Sequence, residues 1–194
     1  SNNNKYQNLK INKSDRGVAV FGLTAPALPT EDNIEISGCT LGQTTYIGSA
    51  LAGSSAIGII ISNGKNAQVF NNNVVSVQCP STTATGSPIG LSCQNSSGKF
   101  YNNYIRDVFT GSLTSAATRP CGIQGSGLSP DTSKIYNNFV TGIRKGYTGA
   151  ASATIAIVGL RSTQQGGGGI VSWDYNTVYL SSVSPLNVTS IAYA

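Results

Sequence analysis

Two short signatures alternate six times along the 194 residues, and no feature constrains the fold more than their spacing. The first is a small residue between apolar ones. It occurs as Val18-Ala19-Val20, Ile57-Gly58-Ile59, Ile89-Gly90-Leu91, Cys121-Gly122-Ile123, Ile155-Ala156-Ile157 and Ile191-Ala192-Tyr193. The central positions are 39, 32, 32, 34 and 36 residues apart. Alternation of this kind puts the flanking side chains on one face of a strand and the small residue on the other.

The second signature falls between copies of the first and is plainest as aromatic-Asn-Asn-x-apolar. It reads Phe70-Asn71-Asn72-Asn73-Val74, Tyr101-Asn102-Asn103-Tyr104-Ile105 and Tyr136-Asn137-Asn138-Phe139-Val140. Asp174-Tyr175-Asn176-Thr177-Val178 is a drifted copy, and Asn3-Asn4-Lys5-Tyr6 and Gly38-Cys39-Thr40-Leu41 are weaker ones. Anchored on positions 4, 39, 72, 103, 138 and 176, the spacings are 35, 33, 31, 35 and 38. Apolar residues recur three before the anchor (Ile36, Val69, Phe100, Ile135, Trp173) and two after it (Tyr6, Leu41, Val74, Ile105, Val140, Val178). Leu9, Val77, Val108 and Ile143 recur five after it. These are the expected inward positions on either side of a bend.

A period of 31 to 39 residues holding only short strands predicts a solenoid whose coils stack on their neighbours. A propeller blade needs four antiparallel strands with hairpin turns. This unit shows two clear strands, or three, and no regular Asn-Gly or Asp-Gly hairpin. The expectation is an all-β, right-handed parallel β-helix of about six coils, with residues 1–194 forming one segment and no caps visible.

The Asn positions carry a physical reading. Asn tolerates the left-handed backbone needed at a sharp bend. Stacked from coil to coil, its amide can donate to one neighbour and accept from the other, as in cross-β Asn ladders. Asn4, Asn72, Asn103, Asn138 and Asn176 are therefore placed as a structural ladder, with Cys39 in the same column. Phe70, Tyr101 and Tyr136 are expected to stack beside it. Segments 80–87, 110–119, 144–153 and 162–169 are the expected loops, and a binding surface is expected there rather than on the coils.

Composition narrows function. Only 10% of residues are charged, and the net charge of +5 arises from seven acids against twelve scattered bases. Nucleic-acid binders cluster their bases, so no nucleic-acid partner is expected. No apolar run approaches the roughly 20 residues that cross a bilayer, so no membrane insertion is expected either. The four cysteines follow no metal-site spacing, and the chain has no His, so neither metal nor cofactor is implied. Cys93 and Cys121 read as small buried hydrophobes, whereas Cys79 opens a loop and is free to pair in an oxidising compartment.

Catalysis by a β-helix hydrolase requires clustered carboxylates. The one local acidic group is Glu31-Asp32 with Glu35, which precedes a strand as a turn would. A lyase needs a base to abstract a proton, and Arg106 with Asp107 is the nearest pairing. Neither makes a catalytic set, so no catalytic residue is assigned.

The units Ile135-Tyr136-Asn137-Asn138-Phe139-Val140-Thr141-Gly142-Ile143 and Trp173-Asp174-Tyr175-Asn176-Thr177-Val178-Tyr179-Leu180 resemble repeats of the pectate-lyase-like β-helix superfamily, in particular large secreted surface proteins of Bacteroidetes-type bacteria. The resemblance implies a secreted, cell-surface location. The function expected is that of a non-catalytic structural or adhesive segment of a large bacterial surface or filament protein. The alternative is a carbohydrate-binding or polysaccharide-degrading β-helix. The expected partners are the continuation of its own chain, a second copy stacked end to end, and glycans.

Overall fold

A computed structural model describes residues 3–22, 31–51, 53, 55–113, 118–128, 131–146, 156–163, 169–180 and 189–193. The chain is an all-β parallel solenoid, with no helix among the described residues. Three sheets run its length, each with six strands. The first contains Lys5–Gln7, Glu35–Ser37, Ala67–Phe70, Gly98–Tyr101, Thr132–Tyr136 and Ile170–Asp174. The second contains Lys10–Ile11, Thr40–Leu41, Asn73–Val74, Tyr104–Ile105, Phe139–Thr141 and Thr177–Tyr179. The last in each coil contains Arg16–Phe21, Ile57–Ser62, Ile89–Ser96, Cys121–Gly127, Ala156–Ser162 and Thr189–Tyr193. A shorter third sheet (Val77–Cys79, Val108–Thr110, Ile143–Lys145) lies between the second and the last in the middle coils.

Six strands less the two at the edges leave about four coils stacked on both sides, fewer than the six that the repeat count suggests. A middle coil also holds four strands where two or three were expected. The extra ones are only two or three residues long, too short for alternation to reveal.

From Glu35 to Asp174 the pairings of the first sheet are parallel and in register with the sequence repeat. Ile36, Val69, Phe100 and Ile135 stand opposite one another and are fully buried. Leu41, Val74, Ile105 and Val140 do the same across the bend. Val77, Val108 and Ile143 form the third inward column. The core is thus a set of aliphatic columns along the axis, each residue packed on its counterpart one coil away.

The first coil departs from its expected register. Tyr6 pairs with Ile36 and Ile11 with Leu41, so the first bend lies at Asn8-Leu9, five residues beyond Asn3-Asn4. Asn4 is opposite Ile34, its carbonyl accepting the Glu35 amide at 2.8 Å, and Leu9 holds the ladder position. The apparent Asn-Asn match misled because Asn8 is followed by Leu, which hides the motif.

The small-residue column is also corrected. Register places Gly17 opposite Gly58, and Gly159 opposite Gly122 with Ala192 beyond it, replacing Ala19 and Ala156. Nor do the flanking residues share a face. Ile59, Leu91 and Ile123 enter the main core, whereas Ile57, Ile89, Cys121 and Val158 join Ile60 in a separate buried cluster. The glycines face inward with the residue that follows them. A Cβ on Gly58 would lie 2.6 Å from Val74 Cγ1 and 2.4 Å from the Gly90 carbonyl oxygen. Two consecutive inward residues mark a local break in alternation, and only glycine fits where the last sheet closes onto the second.

Candidate functional site

The repeated Asn pair divides into two jobs. Asn71, Asn102 and Asn137 are exposed and left-handed, with φ of 56°, 54° and 53°. Asn8 and Gly38 occupy the same place in earlier coils with φ of 55° and 64°. The second residue of each pair is buried. Asn103 Nδ2 donates to Asn138 Oδ1 at 3.0 Å and to the Val69 carbonyl at 3.0 Å. Its Oδ1 accepts Nδ2 of Asn72 at 2.9 Å and the Asn72 backbone N–H at 3.2 Å. Asn72 and Asn138 repeat the pattern, and the ladder runs from the Cys39 backbone N–H to Asn176 Oδ1. All the hydrogen-bonding capacity of the Asn103 side chain is used within the protein, as burial requires.

In the last coil the left-handed position is held by Tyr175, at φ 53° and 88% exposed. Tyrosine gains nothing from packing there and bears the steric penalty of that backbone region. Tyr175→Asn is expected to raise stability by about 1 kcal/mol, read as a higher thermal midpoint. A lower midpoint would contradict the strain argument.

Phe70, Tyr101 and Tyr136 stack as expected, with ring centroids 5.1 Å apart at both steps and planes within 8°. Both faces of Tyr101 and one face each of Phe70 and Tyr136 are taken up by the stack, so the column presents mainly ring edges to a ligand. A second polar corner, absent from the sequence reading, joins the last sheet to the first. Asn95 Nδ2 donates to Asn63 Oδ1 at 2.7 Å, the Gly64 N–H to Ser96 Oγ at 3.0 Å, and the Asn95 N–H to Ser126 Oγ at 2.7 Å. Its signal was the Ser and Asn content of 62–66, 94–97 and 126, which lacks the aromatic that made the other bend conspicuous.

All four cysteines are buried thiols and none is in a disulfide. Burial pushes the Cys93 and Cys121 thiols up to about 12, which keeps them protonated and poor nucleophiles. Glu31-Asp32 is a short strand paired with Gly64–Lys65, not a turn. Glu35 lies apart on the first sheet, where it accepts from Gln7 Nε2 at 2.5 Å and Ser37 Oγ at 3.1 Å and pairs with Lys5 at 3.3 Å. The Gln7 hydrogen bond leads in holding its carboxyl below the usual range, aided by Lys5 and Ser37.

A groove of about 670 Å³ lies on the outer side of the third sheet. Its wall is the segment 42–46, and its floor carries Ser76, Gln78, Asp107 and Arg144, with Arg106 beside them. Asp107 pairs with Arg144 and not with its neighbour Arg106. It also accepts Ser76 Oγ at 2.9 Å and Gln78 Nε2 at 2.7 Å. Parallel stacking produces this group: Gln78, Phe109 and Arg144 are register partners, and Asp107 precedes the strand between them. The Arg144 guanidinium lies 5.0 Å from the Phe109 ring centroid, and that of Arg106 lies 5.9 Å from that of Tyr104. Arg106 forms no ion pair among the described residues. Arg106 and Asp107 were legible as charged neighbours, but Arg144 was visible only as part of a loop and the 42–46 wall was not read as one. Of the expected loops, positions 114–117, 147–153 and 164–168 lie outside the described residues.

On the inner side of the same sheet, Lys145 is 2% exposed and its ammonium donates to the Thr118 carbonyl. Desolvation, with a smaller push from Arg119, lowers its pKa to about 8 from 10.5. Between those values the unfolded chain binds more protons than the folded one, so stability should rise as pH climbs from about 8 to about 10.5. Lys145→Met is expected to remove about 1–3 kcal/mol of that rise. Urea titrations at pH 7 and pH 10 measure it; equal pH dependence in both proteins would contradict it.

Comparisons with protein families, with curated proteins and with solved structures find no match to the chain.

Proposed function

We propose that the chain is a non-catalytic, extracellular structural and adhesive segment of a large bacterial surface or filament protein. The observation that supports this reading best is the Asn ladder. Its side chains are turned inward, and they join successive coils along the axis from Cys39 to Asn176. A chain built this way is a stiff spacer that holds side-chain columns at fixed intervals. Its resemblance to pectate-lyase-like surface proteins of Bacteroidetes-type bacteria agrees with this. On this reading its partners are the continuation of its own chain or a second copy stacked end to end, with glycans along its flank.

The groove favours a second reading within the same fold, a carbohydrate-binding solenoid. Cleavage there has little support, because Asp107 is the one carboxylate among the lining residues and already serves Ser76, Gln78 and Arg144, whereas acid–base hydrolysis takes a pair. Incubation with a panel of neutral and acidic polysaccharides, followed by reducing-end and unsaturated-product assays, tests the non-catalytic reading. No product is expected. Turnover that survives Asp107→Asn would overturn the reading without implicating this groove.

A further inference from the structure

We propose that the groove beside the third sheet is an adhesive site for an acidic glycan, gripped through a carboxylate or sulfate by Arg106 and Arg144; this rests on the adhesive reading above. The groove contains two guanidiniums against one carboxylate, leaving one positive charge. Asp107 uses only part of the Arg144 fork, and that side chain is 39% exposed. The remaining donors are available to a ligand, and a guanidinium suits an oxyanion because it donates two parallel hydrogen bonds. Asp107 is a positioning residue: with Ser76 and Gln78 it fixes where Arg144 points.

The rest of the lining decides the class of ligand. Gln43, Thr44, Thr45, Tyr46 and Gln78 offer amides and hydroxyls, with the Tyr46 ring and Val75 as apolar surface between them, a mixture that suits the polar edges and apolar faces of sugar rings. Hydroxyl-rich sugars match such a surface. The groove is an open recess and not an enclosed cavity, which suits a polymer lying across it better than a small molecule sealed within it.

Isothermal titration of the 194-residue chain tests this, with an oligouronate, dextran sulfate, neutral dextran and inorganic sulfate as probes. Binding of oligouronate or dextran sulfate without binding of dextran is expected, and which of the two binds tells carboxylate from sulfate ester. Arg106→Gln and Arg144→Gln should each weaken binding about tenfold. Lys134→Gln removes the same charge from the first sheet, where Lys134 is exposed, and should change nothing. Asp107→Asn should weaken binding in the parent chain, where the carboxylate positions Arg144, but strengthen it in Arg144→Gln, where only the loss of a repelling negative charge is left, a change of sign that mere loss of fold would not produce. Equal losses from Lys134→Gln and Arg144→Gln, or inorganic sulfate binding as well as the glycans, would overturn the site in favour of general charge attraction. Failure of every probe in a chain that still associates end to end would overturn the groove assignment and leave the scaffold reading standing.

Discussion

Replacing Asn103 by Leu should destabilise the protein by roughly 3–5 kcal/mol, more than its surface neighbours suggest. The shape is nearly conserved, so lost packing is not the cause. The loss would strand the Asn72 backbone N–H and one Nδ2 proton without their acceptor, leave the Val69 carbonyl without this donor, and take from Asn138 Oδ1 one of its two donors, the backbone N–H of residue 103 being retained. These groups are buried, and each unmet group costs about 1–3 kcal/mol before relaxation. Asn102, one residue earlier, is exposed and contributes a left-handed φ. Asn102→Gly should therefore be close to neutral. Urea denaturation of the two variants separates ladder from bend; equal losses would show that the bend conformation, not the ladder, is what stabilises.

A second large effect is expected in the glycine column. A Cβ on Gly122 would stand 2.3 Å from Val140 Cγ1 and 2.6 Å from the Gly159 carbonyl oxygen. The carbonyl is backbone of the next coil and cannot move without disturbing the parallel pairing of 121–125 with 158–162. Gly122→Ala should cost about 2–3 kcal/mol from overpacking, although alanine is the milder residue in most strands. Ile123→Val in the adjacent core position should cost about 1 kcal/mol. Thermal denaturation gives both values, and a Gly122→Ala midpoint at or above that of Ile123→Val would contradict the closeness of the two sheets.

What could be read in the sequence follows from how each feature encodes itself. The aromatic-Asn-Asn bend was legible in three coils because three requirements fall on adjacent residues: an aromatic that stacks, a residue that tolerates left-handed backbone, and an amide that fits the ladder. Where these requirements are met by other residues, as Asn8-Leu9 or Gly38-Cys39, the motif dissolves, and Asn4 was mistaken for its copy. The apolar-small-apolar strand was legible as a repeat but not as a geometry. Alternation assigns Ile57 and Ile59 to one face, whereas the break at Gly58 sends them to different clusters. Gly17 and Gly159 were missed because Val18-Ala19-Val20 and Ile155-Ala156-Ile157 imitate the pattern a few residues away.

The groove was less legible for a different reason. Asp107, Arg144 and Gln78 lie 29 to 37 residues apart in pairs with Asp107, and only the coil register brings them together. Charge adjacency pointed to Arg106 as the partner of Asp107, and the fold gave that role to Arg144. The same register turns Lys145 inward while its neighbour Arg144 faces the groove, a distinction that the dipeptide Arg144-Lys145 conceals.

The claim that the two Asn residues of each bend do separate work is tested most directly by side-chain amide hydrogen exchange, followed by NMR on the folded chain. The Nδ2 protons of Asn72, Asn103 and Asn138 should be strongly protected, and those of Asn71, Asn102 and Asn137 should exchange nearly as fast as in an unfolded peptide. Fast exchange in both sets would contradict the ladder as the link between coils.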